Sequence, residues 1–296
     1  MAPVDLLRLN SDELKVFLDS FDHVFSDCDG VIWTGAGTIP GSGDFFKLMK
    51  KYGKTVHYVS NNSLRKKEEY EMLFNAADIE NGFENLTIPS TAIAEYLESV
   101  KFNKDKKVYC VSCPQTMKVL ESYGFKCDHG PDICVDNYLD YLQYLKNDDN
   151  IGAVVFDSDF KINLPKLYRA RTYLNRPEVL FINGATDKYM GLKPGQLDLG
   201  VGAFTDILVE LIKREPVQLG KPGKDFGEFA MKKAGVTDPS RVLFIGDMID
   251  QDICLGKATG FKTMLVLTNI PEEAMMAHSV QPDYYTPSLG GLVPKL

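Results

Sequence analysis

Short apolar runs alternate with helix-period segments along most of this 296-residue chain, and that alternation leaves few folds open to it. HVFSD (23–27), TVHYVSN (55–61), KVYCVS (107–112), IGAVVFD (151–157), VLFIN (179–183), RVLFIGD (241–247) and KTMLVLT (262–268) read as strands. Several are nearly unbroken apolar runs, as strands covered on both faces must be. Helical spacing occupies 44–52, 64–76, 90–100, 115–124, 164–174, 202–215, 225–235 and 251–260. A first helix over 12–20 has Asn10 and Glu13 spaced as a capping box. Strand–helix alternation with short connections predicts an α/β fold with parallel, two-sided sheets.

Four apolar strands terminate in polar residues suited to phosphate chemistry. The first leads into Asp27-Cys28-Asp29-Gly30 and VHYV into Ser60-Asn61-Asn62. PVQL leads into Gly220-Lys221-Pro222, and VLFI into Gly246-Asp247, followed by Asp250 and Asp252. In open parallel sheets ligands bind outside the carboxyl ends of the strands, so four such ends converging would assemble one crevice. Two acids closing a core strand repel each other and resist burial. A shared Mg²⁺, a hard cation that favours oxygen ligands, would compensate both costs. Asp27 is then placed as a nucleophile forming an aspartyl-phosphate, and Asp29 to protonate the leaving oxygen and later activate water. Ser60 and adjacent amides would donate to the phosphoryl group, Lys221 would neutralise its oxygens, and Asp247 would complete the metal site.

Taken together, DCDGV, VSNNS, GKP and GDMIDQDI resemble the four motifs of the haloacid dehalogenase superfamily of phosphohydrolases. The GKP and GDxxxxDI details resemble its branch of pyridoxal-phosphate, phosphoglycolate and 4-nitrophenyl phosphatases. The resemblance implies a Rossmann-like core in which Asp27 is nucleophile and metal ligand. It implies that Asp29 is acid/base with its backbone carbonyl on the metal, and that Asp247 is the third protein ligand. Ser60, Asn61 and Asn62 would bind substrate phosphate and Lys221 would orient it. Asp252, the motif's last acid, would support Lys221 or metal-bound water, while the role of Asp250 stays open.

The long stretch between Ser60 and Lys221 is large enough for a domain of its own. The resemblance likewise implies a large α/β cap there, placed at 103–215, between the core segments 1–102 and 216–296. A lid of this kind would exclude water and restrict entry to small phosphate esters. FDSDF (156–160) resembles a cap segment of the family, GATDKYMGL (184–192) its substrate-specificity loop, and GVGAF (200–204) the turn before its last cap helix. Asp187, Lys188 and Lys193 are the cap's candidate specificity residues. Lys188 or Lys193 could recognise a substrate carboxylate, as phosphoglycolate would require, or both could be solvated loop lysines. Related pyridoxal phosphatases carry a histidine in this loop; Gly191, Leu192 and Lys193 stand here instead, which speaks against pyridoxal phosphate as the preferred substrate.

Other features have simpler readings. Cys110-x-x-Cys113 with Cys127 and Cys134 has no second closely spaced pair, so buried thiols are expected rather than zinc. Cys28, between the two acids, reads as an inert buried thiol, or as one that responds to oxidation if exposed; His57 reads as packed, while Trp33 is either core or a wall of the crevice. Tyr138, Tyr141 and Tyr144 stripe a cap helix, and a homodimer is expected from the resemblance alone. A net charge of −8 argues against nucleic acid as the main partner. No run approaches the apolar length of a membrane span, and residues 1–10, interrupted by Pro3, Asp5 and Arg8, do not read as a secretory leader. Scattered cysteines in a chain with its own core suggest a cytoplasmic protein. The expected activity is Mg²⁺-dependent hydrolysis of small phosphate esters such as phosphoglycolate or 4-nitrophenyl phosphate. The alternatives are a pyridoxal phosphate phosphatase, a phosphotransferase that passes the phosphoryl group to a second hydroxyl substrate, and a catalytically silent phosphate-binding protein.

Overall fold

The computed structural model describes residues 2–133, 135–185, 187–193 and 196–296, without the side chains of 189–198. The chain forms two compact units, one of 1–60, 66–87 and 221–296, the other of 61–65 and 88–220.

The first unit is built on a seven-stranded, wholly parallel sheet. Its spatial order is Val4–Asp5, Tyr284–Thr286, Lys262–Val266, Val242–Gly246, His23–Ser26, Thr55–Val59 and Leu86–Thr87. Phe25 lies between Phe244 and His57 on the flanking strands, and Val24, Phe25, Leu243 and Phe244 are fully buried. Double-sided burial explains why these strands are apolar runs and not alternating ones. From His23–Ser26 the chain continues to Thr55–Val59 on one side, whereas Val242–Gly246 closes the other. The gap between His23–Ser26 and Val242–Gly246 is therefore the topological switch point, where open sheets bind ligands.

The capping box of the first helix, Ser11–Asp19, is present: the Asn10 side chain accepts from the Glu13 N–H, and the Glu13 carboxylate accepts from the Asn10 N–H. The helix expected over 251–260 is divided. A π-helical segment, Ile249–Ile253, precedes the α-helix Cys254–Thr259. The Asp252 carboxylate folds back to accept the N–H groups of Asp247 (3.1 Å) and Met248 (3.0 Å), which ties this widened turn to the strand end before it.

The second unit carries a five-stranded parallel sheet in the order Val217–Gln218, Leu180–Asn183, Ile151–Phe156, Lys107–Val111 and Lys126–Asp128. Tyr109, Phe156, Tyr173, Phe181 and Leu208 belong to the apolar core on it. The PVQL strand is therefore an edge of this second sheet, so only three of the four motif-bearing strands share the first. Residues 88–102 and 216–220 also fall in this unit, outside the 103–215 read from sequence, because helix Pro89–Ser99 packs on helix Pro114–Ser122 and Val217–Gln218 pairs with Leu180–Asn183. The tyrosine-striped segment forms only a short helix, Tyr138–Leu142, whose side chains are not buried; Tyr138 is 71% exposed. Among the described residues no helix is long and apolar enough to cross a membrane.

Candidate active site

Asp27 and Asp247 follow the two strands that flank the switch point, and the local chain geometry aims both carboxylates inward. The Asp27 N–H donates to the Ile245 carbonyl (2.8 Å), continuing the ladder one residue past the strand, so its side chain has a fixed direction. The turn then closes tightly: Val31, Ile32 and Trp33 all donate to the Cys28 carbonyl, and the Gly30 N–H donates to Trp33 O at 2.7 Å. Gly30 has φ +81°, and a Cβ there would stand 1.9 Å from Asp247 Oδ2. Both the left-handed backbone and the packing against Asp247 require glycine.

Lys221 reaches this pocket from the start of the returning core segment. Its Nζ lies 2.8 Å from Asp27 Oδ1 and 2.7 Å from Asp252 Oδ1. Lys221 is 2% exposed and Asp27 6%. Asp27, Asp247 and Asp252 offer one oxygen each within 4.8 Å of one another, and they form the only group of this kind among the described residues. Three buried acids thus face one ammonium. Burial pushes the Asp27 carboxyl up to about 7, against the pull of Lys221 and with the charges of Asp252 and Asp29 adding to it. Asp247 is raised well above the carboxylate range, by burial and then by Asp252 and Asp27. For Lys221, burial alone would lower the value; Asp252 and Asp27 outweigh it and hold the ammonium charged.

The arrangement fits a divalent cation. Both Asp252 oxygens are engaged, one by Lys221 and the other by two backbone N–H groups. Asp247 Oδ1, by contrast, is buried without a hydrogen-bond partner. An unpartnered buried carboxylate oxygen among other acids costs several kcal/mol unless positive charge meets it. The Asp29 side chain is not part of the three-acid cluster. It is half-buried, and Trp33 Nε1 donates to its Oδ1 at 3.2 Å. Trp33 is fully buried in an aromatic cluster with Tyr70 and Phe74, so it is core and at the same time holds Asp29.

Ser60 is buried at the end of Thr55–Val59, its N–H on Thr87 O (3.0 Å) and its Oγ accepting from Tyr70 OH at 3.4 Å. Asn61 and Asn62 belong to the short segment grouped with the second unit. There, Asn61 Nδ2 donates to Asp187 Oδ2 (2.9 Å), and Asn62 Oδ1 accepts from the Leu64 N–H at 3.0 Å. Lys188 is exposed and paired with Asp206 at 2.5 Å, so a carboxylate on this lysine already offsets its charge. The Lys193 side chain lies outside the described residues. Asp157, which ends its strand within FDSDF, is buried; it accepts from Thr116 Oγ1 (2.9 Å) and the Ala185 N–H (3.2 Å), which anchors the start of the 184–192 loop.

Asp250 is exposed and faces His278 at 3.3 Å, apart from the acid cluster. His57 is packed against Phe25, and burial lowers its imidazole to about 4. Cys28, Cys110, Cys113, Cys127 and Cys254 are in no disulfide, and among the described residues no cysteine belongs to a metal-ligating group; Cys134 lies outside those residues. Two participants had no motif to announce them. Asn269 donates its amide to Asp247 Oδ2, and Thr268 Oγ1 donates to the Gly30 carbonyl at 2.6 Å. The signal that could have found them is positional: LTN follows another strand of the same parallel sheet.

Comparison with known proteins gives concordant results. A family model described as haloacid dehalogenase-like hydrolase matches residues 24–126, and a second, HAD-hydrolase-like, matches 218–292. The chain is 33% identical over 284 residues to the chloroplastic phosphoglycolate phosphatase 1A of Arabidopsis thaliana, covering 94% of this chain and 77% of that protein. It is 31% identical over 287 residues to the 4-nitrophenylphosphatase of Schizosaccharomyces pombe, covering 95% and 96%. The solved p-nitrophenyl phosphatase from Archaeoglobus fulgidus superimposes with a TM-score of 0.78 at 27% identity, covering 94% of this chain and all of that one.

Proposed function

This chain belongs to the haloacid dehalogenase-like hydrolases and is a phosphoric monoester hydrolase, and from that premise we propose that it cleaves small phosphate monoesters through an aspartyl-phosphate on Asp27. The observation that carries the proposal is the Asp27 carboxylate itself: buried, held by Lys221, and set at the switch point beside an Asp247 oxygen that lacks a partner.

A carboxylate oxygen of Asp27 attacks phosphorus, forming the Asp27 O–P bond as the ester P–O bond breaks. Asp29, oriented by the Trp33 indole, gives its proton to the departing alkoxide or phenoxide oxygen. The same carboxylate then takes a proton from water, which attacks phosphorus and releases Asp27 and inorganic phosphate. Lys221 keeps Asp27 in place and spreads positive charge over the phosphoryl oxygens, while Ser60 supplies a donor at the neighbouring strand end. Asp252 holds the Lys221 ammonium between two acids, so that it stays charged and stationary. Asp27 and Asp247, with the backbone carbonyl of Asp29, would hold Mg²⁺, which would supply the positive charge an anionic ester needs to enter a pocket lined by acids.

Asp187, Lys188 and Lys193 are the proposed residues for substrate specificity. Small esters of the phosphoglycolate or 4-nitrophenyl type are the proposed substrates, in keeping with the relatives' names. The pairing of Lys188 with Asp206 moves the weight of carboxylate recognition away from Lys188. Asp27→Asn tests the nucleophile: turnover of 4-nitrophenyl phosphate vanishes while circular dichroism stays native. Turnover surviving that change refutes the assignment. Ranking kcat/KM over a panel of phosphate esters then identifies the preferred substrate.

A further inference from the structure

The dipeptide Thr268–Asn269 has no place in the four motifs, yet it touches both sides of the catalytic pocket. It follows the strand Lys262–Val266, which neighbours Val242–Gly246 in the first sheet. Thr268 Oγ1 donates to the Gly30 carbonyl, in the turn after Asp27. Asn269 Nδ2 donates to Asp247 Oδ2. A carboxylate can only accept, so the amide of Asn269 must present its NH₂ group there.

The two contacts act on one oxygen. Asp247 Oδ2 is pressed against Gly30, where even a methyl group would stand 1.9 Å away, and it is bonded by Asn269 from another direction. Oδ2 is thereby committed to the protein. Oδ1 is left buried with no hydrogen-bond partner, on a residue that shares its cluster with Asp27 and Asp252. A carboxylate clamped through one oxygen presents the other in one orientation and cannot swing to chelate through both. Groups that hold a ligand in this way set much of a metal site's affinity.

We propose that Asn269 is a positioning residue that fixes Asp247 as a one-oxygen ligand for the divalent cation, with Thr268 holding the Gly30 wall of the same clamp. This rests on the metal site of the proposed function and extends it to a residue outside the motifs. The donor matters here, because an apolar side chain of similar size would fill the space and leave Oδ2 free.

The test is calorimetric titration of MgCl₂ into the intact chain, wild type against Asn269→Ala and the near-isosteric Asn269→Leu. Circular dichroism and thermal unfolding in EDTA establish which variants are folded. In a folded variant the Mg²⁺ Kd rises about tenfold to hundredfold. With 4-nitrophenyl phosphate, KM at saturating Mg²⁺ stays within about twofold of wild type, and excess Mg²⁺ restores most of kcat. A purely structural role would lower the unfolding temperature in EDTA without moving the Mg²⁺ Kd, and that outcome overturns the proposal. So does a wild-type Kd in either folded variant. A wild-type chain that itself shows no Mg²⁺ binding overturns the metal site beneath it, a result distinct from variants that match wild type.

Discussion

Replacing Lys221 with methionine keeps most of the side chain's volume and removes one charge from between two acids. In the native site its ammonium lies 2.8 Å from Asp27 and 2.7 Å from Asp252, with almost no solvent access. Breaking a buried pair by deleting one partner costs about 3–5 kcal/mol. There is also a ceiling, because an orphaned carboxyl can take up a proton. For a carboxyl of ordinary value 3.8, staying protonated at pH 7 costs about 4 kcal/mol, at 1.36 kcal/mol per pH unit, and at pH 5 about 2 kcal/mol. Asp27, raised to about 7 with the lysine present, already bears most of that cost at neutral pH, so the added penalty arises mainly where Asp252 Oδ1 loses its ammonium partner. An acid with a raised folded value contributes stability that is full below about pH 4 and is lost as pH rises through the folded value. Lys221→Met is therefore destabilised by about 3–5 kcal/mol at pH 7 and by roughly half as much at pH 5. Urea unfolding of both proteins in EDTA at the two pH values measures this, with an activity assay in parallel. A penalty independent of pH, or one below about 1 kcal/mol at pH 7, refutes the view that buried acids are what Lys221 serves.

Four further outcomes follow from the same geometry. Gly30→Ala puts a Cβ into Asp247 and forces a left-handed alanine, so kcat/KM for 4-nitrophenyl phosphate falls by about a hundredfold or more, while thermal unfolding shows a loss of about 1–2 kcal/mol. Trp33→Phe keeps an aromatic in the core but removes the donor to Asp29; kcat falls about tenfold with KM unchanged in steady-state kinetics, one hydrogen bond's worth of orientation. EDTA abolishes turnover, and Mg²⁺ at a hundred times its Kd restores it and stabilises the chain by about 2.7 kcal/mol in thermal unfolding. Because the metal must displace the proton that burial keeps on Asp27, the Mg²⁺ affinity rises with pH and levels off above about 7, as calorimetry across pH 5.5–8.5 would show.

Much of the site could be read from residue types at strand ends. Asp27, Lys221, Asp247 and Asp252 stand out in the sequence as acids and one cation after apolar strands, and the structure sets Lys221 against Asp27 and Asp252 and gathers an oxygen from each of the three acids within 4.8 Å of one another. Sequence was less informative where a contact depends on which sheet a strand joins. PVQL carries the Lys221 motif but pairs with Leu180–Asn183, and nothing in four residues distinguishes one parallel edge from another. Trp33 was undecided because a buried indole and a site-facing indole share one apolar neighbourhood; here a single N–H serves Asp29 while the ring packs on Phe74. Lys188 could read as a carboxylate reader or as a solvated loop lysine, and its exposed pairing with Asp206 depends on a helix whose approach no local pattern announces.

Local periodicity was sufficient, without coordinates, to specify the α/β class, and the residue types after the strands were sufficient to single out Asp27, Asp247 and Asp252, because each of these signals is written in neighbouring residues. Which oxygen of Asp247 is tied down and which is left open was decided only in three dimensions. Asn269, Gly30 and Asp247 come from three distant stretches, and a hydrogen bond between remote side chains leaves no periodic trace in the chain that forms it.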